Sequence, residues 1–130
     1  MKKEVSIEVD YGPDFNGVLR NKDGVEVIVG DAGLKPYDLL LSALAGCFES
    51  TLLDILVKKH VQVDHIHYDI HGTKRETIPS TLDYVSIGVT VTNASDENQF
   101  KKSVELAKKY CSIHATIEAV ATIDVQVTFK

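Results

Sequence analysis

A long apolar segment, residues 39–57, places the strongest constraint on how this chain can fold. Pro36 stands where the first residue of a helix is favourable, and Asp38 puts a negative charge in the first turn. We therefore expect a helix from Pro36 to about Lys59. Its residues are apolar almost all round and not along one stripe only. A helix of that kind is buried on most sides, which in a small protein indicates a central helix or a subunit interface.

Apolar residues that alternate with polar ones predict strands on both sides of this helix. Val5, Ile7 and Val9 predict a half-buried first strand, and the NKDG turn at residues 21–24 predicts a hairpin between the second strand and the third. Two more strands follow, then a second helix with one continuous apolar face, then a last strand. The fourth strand is predicted from Ile66, Tyr68 and Ile70, and the fifth from Val85, Ile87, Val89 and Val91. The second helix is predicted from Phe100, Val104, Ala107 and Cys111, and the last strand from Ala121, Ile123, Val125, Val127 and Phe129.

The predicted order of elements is βββ-α-ββ-α-β, with two main helices. Because the strands come in runs, this order indicates an α+β fold with antiparallel pairing. The length of 130 residues fits a single domain over residues 1–130.

Charge and motif content exclude several classes of function. The net charge of −5 and the lack of a basic block argue against a nucleic-acid binder, which needs positive charge to track phosphates. The N-terminus is charged from Lys2 onwards and has no apolar core segment of the kind found in a signal peptide. The uncharged run at residues 39–48 is shorter than the roughly 20 residues of a membrane span. We expect a soluble, cytoplasmic protein with no membrane partner. Phosphate-binding glycine loops, HExxH and the nucleophile elbow are missing from the sequence, so we expect no cofactor and assign no residue as a metal ligand.

Two cysteines, Cys47 in the apolar segment and Cys111 at the end of the second helix, are the candidates for chemistry. Free cysteine often packs as a small hydrophobe, so they are either inert core residues or a pair with redox chemistry. Gly46 favours a functional site, because glycine costs about 1 kcal/mol relative to alanine inside a helix. Glu49 is a carboxylate in an otherwise dry segment, but it lies two residues from Cys47 and does not share its helical face.

A reactive thiol must be held as a thiolate by a nearby cation or a helix N-terminus. Cys47 lies about three turns into its helix, beyond the reach of the helix dipole, so we expect a side chain brought in by the fold to activate it. The two arginines of the chain, Arg20 and Arg75, are the first candidates. Cys111, at a helix C-terminus, experiences a field that disfavours the thiolate, which suits a resolving thiol better than an attacking one.

Metal binding is a further interpretation. Four residues with metal-binding side chains share one strand face, namely His65, His67, Asp69 and His71. A solvated strand face explains the same pattern more simply. Cys47, Cys111 and His114 offer a second, soft set of three ligands, but without a recognised spacing.

Two segments resemble the OsmC/Ohr family of thiol-dependent hydroperoxide-reducing proteins. They are KPYDLLLSALAGCFESTLLDIL at residues 35–56 and AKKYCSIHATI at residues 107–117. GTKRETIP at residues 72–79 is also similar to the segment that joins the two halves in one branch of the family. The resemblance covers nearly the whole chain. It implies an OsmC-like fold and an intertwined homodimer, with two active sites at the subunit interface and the central helices buried between subunits.

The resemblance also implies a mechanism and the residues that perform it. Cys47 matches the peroxidatic cysteine, which attacks an organic hydroperoxide and becomes a sulfenic acid. Cys111 matches the resolving cysteine, which condenses with it to a disulfide that a dithiol, such as a lipoylated protein, reduces. In the family an arginine and a glutamate hold the thiolate, and the activity protects against oxidative stress. Arg20 matches the arginine approximately, and is the candidate cation.

One position departs from the family pattern. Where the glutamate directly follows the proline that opens the central helix, this chain has Tyr37, with Asp38 next. One residue further along a helix points about 100° away, so Asp38 replaces that carboxylate only imperfectly. The sequence is closer to a less characterised branch of the family.

Three functions remain open from the sequence. The leading function is a homodimeric thiol peroxidase in which Cys47 is the attacking thiol and Cys111 the resolving thiol. A non-enzymatic OsmC-like protein that binds a small hydrophobic or electrophilic ligand at the dimer interface is the alternative, and the missing glutamate supports it. A metal-binding protein is the third.

Overall fold

The computed structural model describes residues 2–130 and contains nine helices and strands over that range. In chain order they are β1 (Glu8–Tyr11), β2 (Asn16–Arg20), β3 (Glu26–Gly30), α1 (Pro36–Lys58), β4 (His65–Lys74), β5 (Leu82–Thr92), α2 (Glu97–Tyr110), α3 (Ser112–Glu118) and β6 (Thr122–Phe129). The chain divides into two compact units, one ending at Leu40 and one of Leu41–Lys130. The α+β class is confirmed, and the single domain over residues 1–130 stays a prediction.

The first unit carries an antiparallel sheet in the order β1-β2-β3. Its second turn is the NKDG hairpin that the sequence predicts. The side-chain oxygen of Asn21 accepts hydrogen bonds from the backbone N–H groups of Asp23 and Val25, at 3.0 and 2.9 Å. Gly24 follows in the left-handed region at φ +83°, a conformation that glycine adopts without a steric penalty.

The prediction of a half-buried first strand at Val5, Ile7 and Val9 is wrong in this chain. Strand β1 begins only at Glu8, and all four of its residues are exposed. Val5 is 97% exposed, and Ile7 and Val9 are also exposed. Alternation shows which side of a strand is apolar, but it does not show that another element covers that side.

Helix α1 begins and ends close to the predicted positions, but its burial differs from the prediction. The buried residues form one stripe at a spacing of four, namely Leu44, Phe48, Leu52 and Leu56. Leu53 and Val57, on another side, are exposed. By length and composition α1 could cross a membrane, which is weak evidence because the core helices of soluble proteins satisfy the same criteria.

The second unit is built on a sheet in the order β4-β5-β6, with β5 in the centre. The core residues of β5 alternate along the strand, as predicted, and are Val85, Ile87, Val89 and Val91. Strand β4 pairs with β5 antiparallel, but β6 pairs with it parallel, with Val85 opposite Ile123. Antiparallel pairing is therefore wrong for this pair. The helices between β5 and β6 form the long crossover that a parallel pair needs.

The second predicted helix is two helices. Helix α2 ends at Tyr110, Cys111 has an extended backbone with φ −73° and ψ 117°, and α3 starts at Ser112. The backbone N–H of Cys111 still donates to the carbonyl of Ala107, which completes the end of α2. At seven residues α3 is too short for periodicity to identify it in the sequence.

Candidate redox site

Cys47 lies in the middle of α1, beside the buried stripe of that helix. The next residue, Phe48, is fully buried, and its ring packs against Tyr68 of β4 and His114 of α3, with ring centroids 6.1 and 6.4 Å away. Cys47 itself is only half-buried. Phe48 thus fixes the rotation of α1 against β4 and α3, and this rotation sets where the Cys47 thiol points.

Cys111 occupies the junction between α2 and α3 and is fully buried. Its sulfur accepts a hydrogen bond from the backbone N–H of His114 at 3.4 Å. The thiol therefore acts as the N-cap of α3, in the place where a serine or aspartate side chain is more common.

The fold brings the two cysteines together. Cys47 Sγ lies 3.7 Å from the hydroxyl oxygen of Ser112, the residue that follows Cys111. Both cysteines are free thiols, and each affects the ionisation of the other. Residues 64 positions apart in the sequence thus share one site.

The two thiols are shifted in opposite directions. Burial alone raises the pKa of Cys47, but hydrogen bonds from the backbone of Ile113, from the side chains of Cys111 and Ser112 and from the backbone of Ser112 outweigh it, and the net shift of the pKa is downward. Burial raises the pKa of Cys111, and the neighbouring Cys47 raises it further. Cys47 is therefore the more readily ionised of the two thiols.

The groups that favour the Cys47 thiolate belong to the start of α3. The prediction that a side chain brought in by the fold activates Cys47 is incomplete, because backbone N–H groups of Ser112 and Ile113 contribute as well. Sequence reasoning missed them because it placed one helix where the structure has two. The available signal in the sequence was the segment Cys111-Ser112-Ile113 at the predicted end of a helix.

Glu49 does not face the thiol of Cys47. Its carboxylate accepts a hydrogen bond of 2.8 Å from the phenol of Tyr68, on β4, and the contact is partly buried. Burial, with the carboxylate of Glu49, raises the pKa of Tyr68 far above its ordinary value. The position of Glu49 agrees with the prediction that it lies on a different face from Cys47.

The two arginines have other partners. Arg20 forms ion pairs with Asp10 at 2.9 Å and with Glu26, both within the first sheet, and the hydrogen bonds that it donates to these carboxylates raise its pKa. Arg75 donates from Nε to the carbonyl of Pro79 at 2.9 Å. A role for Arg20 beside Cys47 stays a prediction.

Asp38 has a structural contact at the start of α1. Its carboxylate accepts a hydrogen bond of 2.9 Å from the backbone N–H of Lys35. This contact caps the N-terminus of the helix, as expected of an acidic residue in the first turn. A catalytic role for Asp38 also stays a prediction.

The histidines do not assemble a metal centre in the part of the chain that the structure describes. The outer face of β4 carries His65, His67, Asp69 and His71, all exposed. His114 is buried, and neither ring nitrogen has a hydrogen-bond partner among residues 2–130. Within that range no group of three or more His, Cys, Asp or Glu side chains is arranged to hold a metal ion.

Fold and site together define an α+β protein whose central helix presents one thiol to a second, buried thiol. A family model described as OsmC-like protein matches residues 29–126, more than half of the chain. The chain therefore belongs to the OsmC-like family, which confirms the resemblance seen in the sequence. No match is found among curated proteins.

Solved structures confirm the fold over the full length. A hypothetical protein from Aquifex aeolicus VF5 is 24% identical, with a TM-score of 0.85 and 99% of each chain covered. An OsmC like protein from Mycoplasma pneumoniae is 18% identical, with a TM-score of 0.87 and 99% of each chain covered. An organic hydroperoxide resistance protein, OsmC, from Legionella pneumophila is 16% identical, with a TM-score of 0.76 and 97% of each chain covered.

Proposed function

We propose that this protein is a thiol-dependent peroxidase that reduces organic hydroperoxides and protects against oxidative stress. The observation that supports it most directly is the meeting of two free thiols with opposite pKa shifts. Membership of the OsmC-like family points the same way. A core-filling pair of cysteines would not need one sulfur half-exposed and surrounded by hydrogen-bond donors.

In the proposed reaction the Cys47 thiolate attacks the distal oxygen of the hydroperoxide. A sulfur–oxygen bond forms, the oxygen–oxygen bond breaks, and the leaving alkoxide takes up a proton to become an alcohol. The Cys111 thiol then attacks the sulfenic acid, which releases water and leaves a Cys47–Cys111 disulfide. A dithiol reductant, such as a lipoylated protein, returns both cysteines to thiols by exchange.

We also propose that the protein works as a homodimer in which α1 helices pack together. Exposed Leu53 and Val57 give α1 an apolar side that the described chain leaves uncovered. Gly46 belongs to the same exposed region, and a β-carbon built on it meets no atom within 4 Å. Light scattering of the purified protein tests this, and a monomer at micromolar concentration would contradict it.

The decisive experiment is peroxide turnover. Wild type, Cys47→Ser and Cys111→Ser proteins are mixed with cumene hydroperoxide and dihydrolipoamide, and peroxide loss is followed. We expect turnover by the wild type, none by Cys47→Ser, and a sulfenic acid that accumulates and can be trapped in Cys111→Ser. If the wild type leaves the peroxide intact, the proposal fails.

A binding protein without enzymatic activity is the second candidate. Two observations favour it: Tyr37 replaces the glutamate of the family, and the charge of Arg20 is already compensated by Asp10 and Glu26. Native mass spectrometry separates the two functions, because a retained hydrophobic or electrophilic ligand together with no turnover would support binding.

A further inference from the structure

Ser112 has a contact that the local structure of α3 does not require. It is the first residue of α3, its side chain is exposed, and its Oγ lies 3.7 Å from Cys47 Sγ. That distance is within hydrogen-bonding range for sulfur. An exposed serine can always hydrogen-bond to water, so packing does not oblige it to face a sulfur on another helix.

Three other helical hydroxyls of the second unit behave differently. The side chains of Thr51, Ser103 and Thr116 each donate to the carbonyl four residues earlier, at 3.0, 2.7 and 3.0 Å. That is the usual contact of serine and threonine inside a helix. Ser112 stands at the start of α3 and points instead at Cys47.

We propose that Ser112 is a catalytic residue whose hydroxyl donates a hydrogen bond to the Cys47 thiolate. A hydroxyl has one proton to give, and a hydrogen bond to a charged acceptor is stronger than one to a neutral acceptor. The bond is therefore strongest while the sulfur is a thiolate and weakens once it is oxidised. The glutamate that holds the thiolate in the family is replaced by Tyr37 in this chain. Its role in turnover rests on the proposed function, but its effect on the thiolate does not.

Ser112 shares this role with other groups around Cys47, because the Cys111 side chain and the backbones of Ser112 and Ile113 also hydrogen-bond to the Cys47 sulfur. Cys111, at the α2–α3 junction, additionally accepts from the backbone of His114. On α1, Glu49 accepts from Tyr68 of β4. Ser112 therefore supplies a side-chain hydroxyl to Cys47, while its neighbour Cys111 supplies the second thiol.

The test is the pH dependence of alkylation of Cys47 by iodoacetamide, followed by peptide mass spectrometry. The variants are Ser112→Ala, Ser112→Thr, which keeps a hydroxyl, and Thr116→Ala, a matched loss of an exposed hydroxyl on the same helix. Below the midpoint of the wild type, we expect Ser112→Ala to react about two- to fourfold more slowly, because less thiolate is present. Above the midpoint it should react as fast as the wild type or slightly faster, because a more basic thiolate is a better nucleophile.

Ser112→Thr should restore most of the wild-type profile, and Thr116→Ala should reproduce it. Two results overturn the inference: a Ser112→Ala profile that superimposes on the wild type, or one that is slower by the same factor at every pH. The second would indicate altered packing, which circular dichroism and thermal unfolding of the same samples also detect.

Peroxide turnover separates this inference from the proposed function. A shifted alkylation profile in a protein that does not reduce peroxide would leave the Ser112 contact in place and reject the peroxidase. Normal peroxide turnover with an unshifted alkylation profile would support the peroxidase and reject the role of Ser112.

Discussion

Replacing Tyr68 by phenylalanine tests whether Glu49 is a structural residue or part of the redox site. The change removes one hydroxyl and leaves the T-shaped contact between the ring and Phe48 in place. What is lost is the 2.8 Å hydrogen bond to the carboxylate of Glu49. A hydrogen bond to a charged group contributes about 1.5–3 kcal/mol when it is buried. Because this contact is only partly buried, we expect Tyr68→Phe to lower the free energy of unfolding by about 1–2 kcal/mol.

The loss should depend on pH in a defined direction. The folded-state pKa of Tyr68 is raised above the ordinary value of 10.0, since burial and the Glu49 carboxylate both oppose the phenolate. The folded protein then keeps a proton that the unfolded chain releases above about pH 10, so the stability due to Tyr68 is fully present below that pH and decreases above it. The wild type should therefore lose its advantage over Tyr68→Phe as the pH rises beyond about 10.

Urea unfolding at neutral and alkaline pH measures both effects. Tyr84→Phe is the matched control, because it removes a 2.9 Å hydrogen bond from a phenol to Asp124 on the exposed side of the sheet, and its loss should be much smaller. The alkylation profile of Cys47 should be unchanged in Tyr68→Phe. Equal stability of wild type and Tyr68→Phe at neutral pH, or a shifted Cys47 profile, would refute the structural role of Glu49.

Two further predictions concern the ionisation of buried groups. Cys47→Ser should lower the pH midpoint of Cys111, followed by thiolate absorbance in the ultraviolet, because part of the upward shift in its pKa comes from Cys47; an unchanged midpoint would contradict the coupling of the two thiols. Burial lowers the pKa of His114, so its contribution to stability is present above the ordinary value of 6.5 and is lost as the pH falls below it. His114→Leu removes two buried ring nitrogens that lack hydrogen-bond partners in the described chain, although Nδ1 lies 3.7 Å from the exposed carboxylate of Glu118. The variant should therefore be at least as stable as the wild type at neutral pH and less sensitive to acid. If His114→Leu lowers the free energy of unfolding by more than about 1 kcal/mol, the prediction is wrong and the imidazole ring stabilises the folded protein.

Sequence reasoning was most successful where the signal is local. Pro36, an acidic first turn and a long apolar run predicted α1 to within one residue of its observed end, and alternation located β5 and β6. The NKDG turn predicted its hairpin because the side chain of Asn21 and the left-handed Gly24 act within five residues. These features depend on neighbours in the chain, so the chain alone specifies them.

It failed where the outcome depends on distant partners. Val5 and Ile7 are apolar but exposed, because periodicity describes one face of a strand and not what covers it. The parallel pairing of β5 with β6 depends on a crossover through two helices, and a short α3 does not carry a periodic signal of its own. The roles proposed for Cys47 and Cys111 rest on the family resemblance and not on periodicity.

By itself, then, the sequence determined the class of fold, the helix that carries Cys47 and the two thiols worth testing. The tertiary structure decided which groups surround those thiols. Ser112 and the backbone of Ile113 favour the Cys47 thiolate because α3 starts beside α1, and Glu49 is occupied because Tyr68 of β4 reaches it. Hydrogen bonds and electrostatic interactions depend on distance in space. Cys47 and Ser112 are 65 positions apart in the sequence and Glu49 and Tyr68 are 19 apart, so only the folded chain sets these distances.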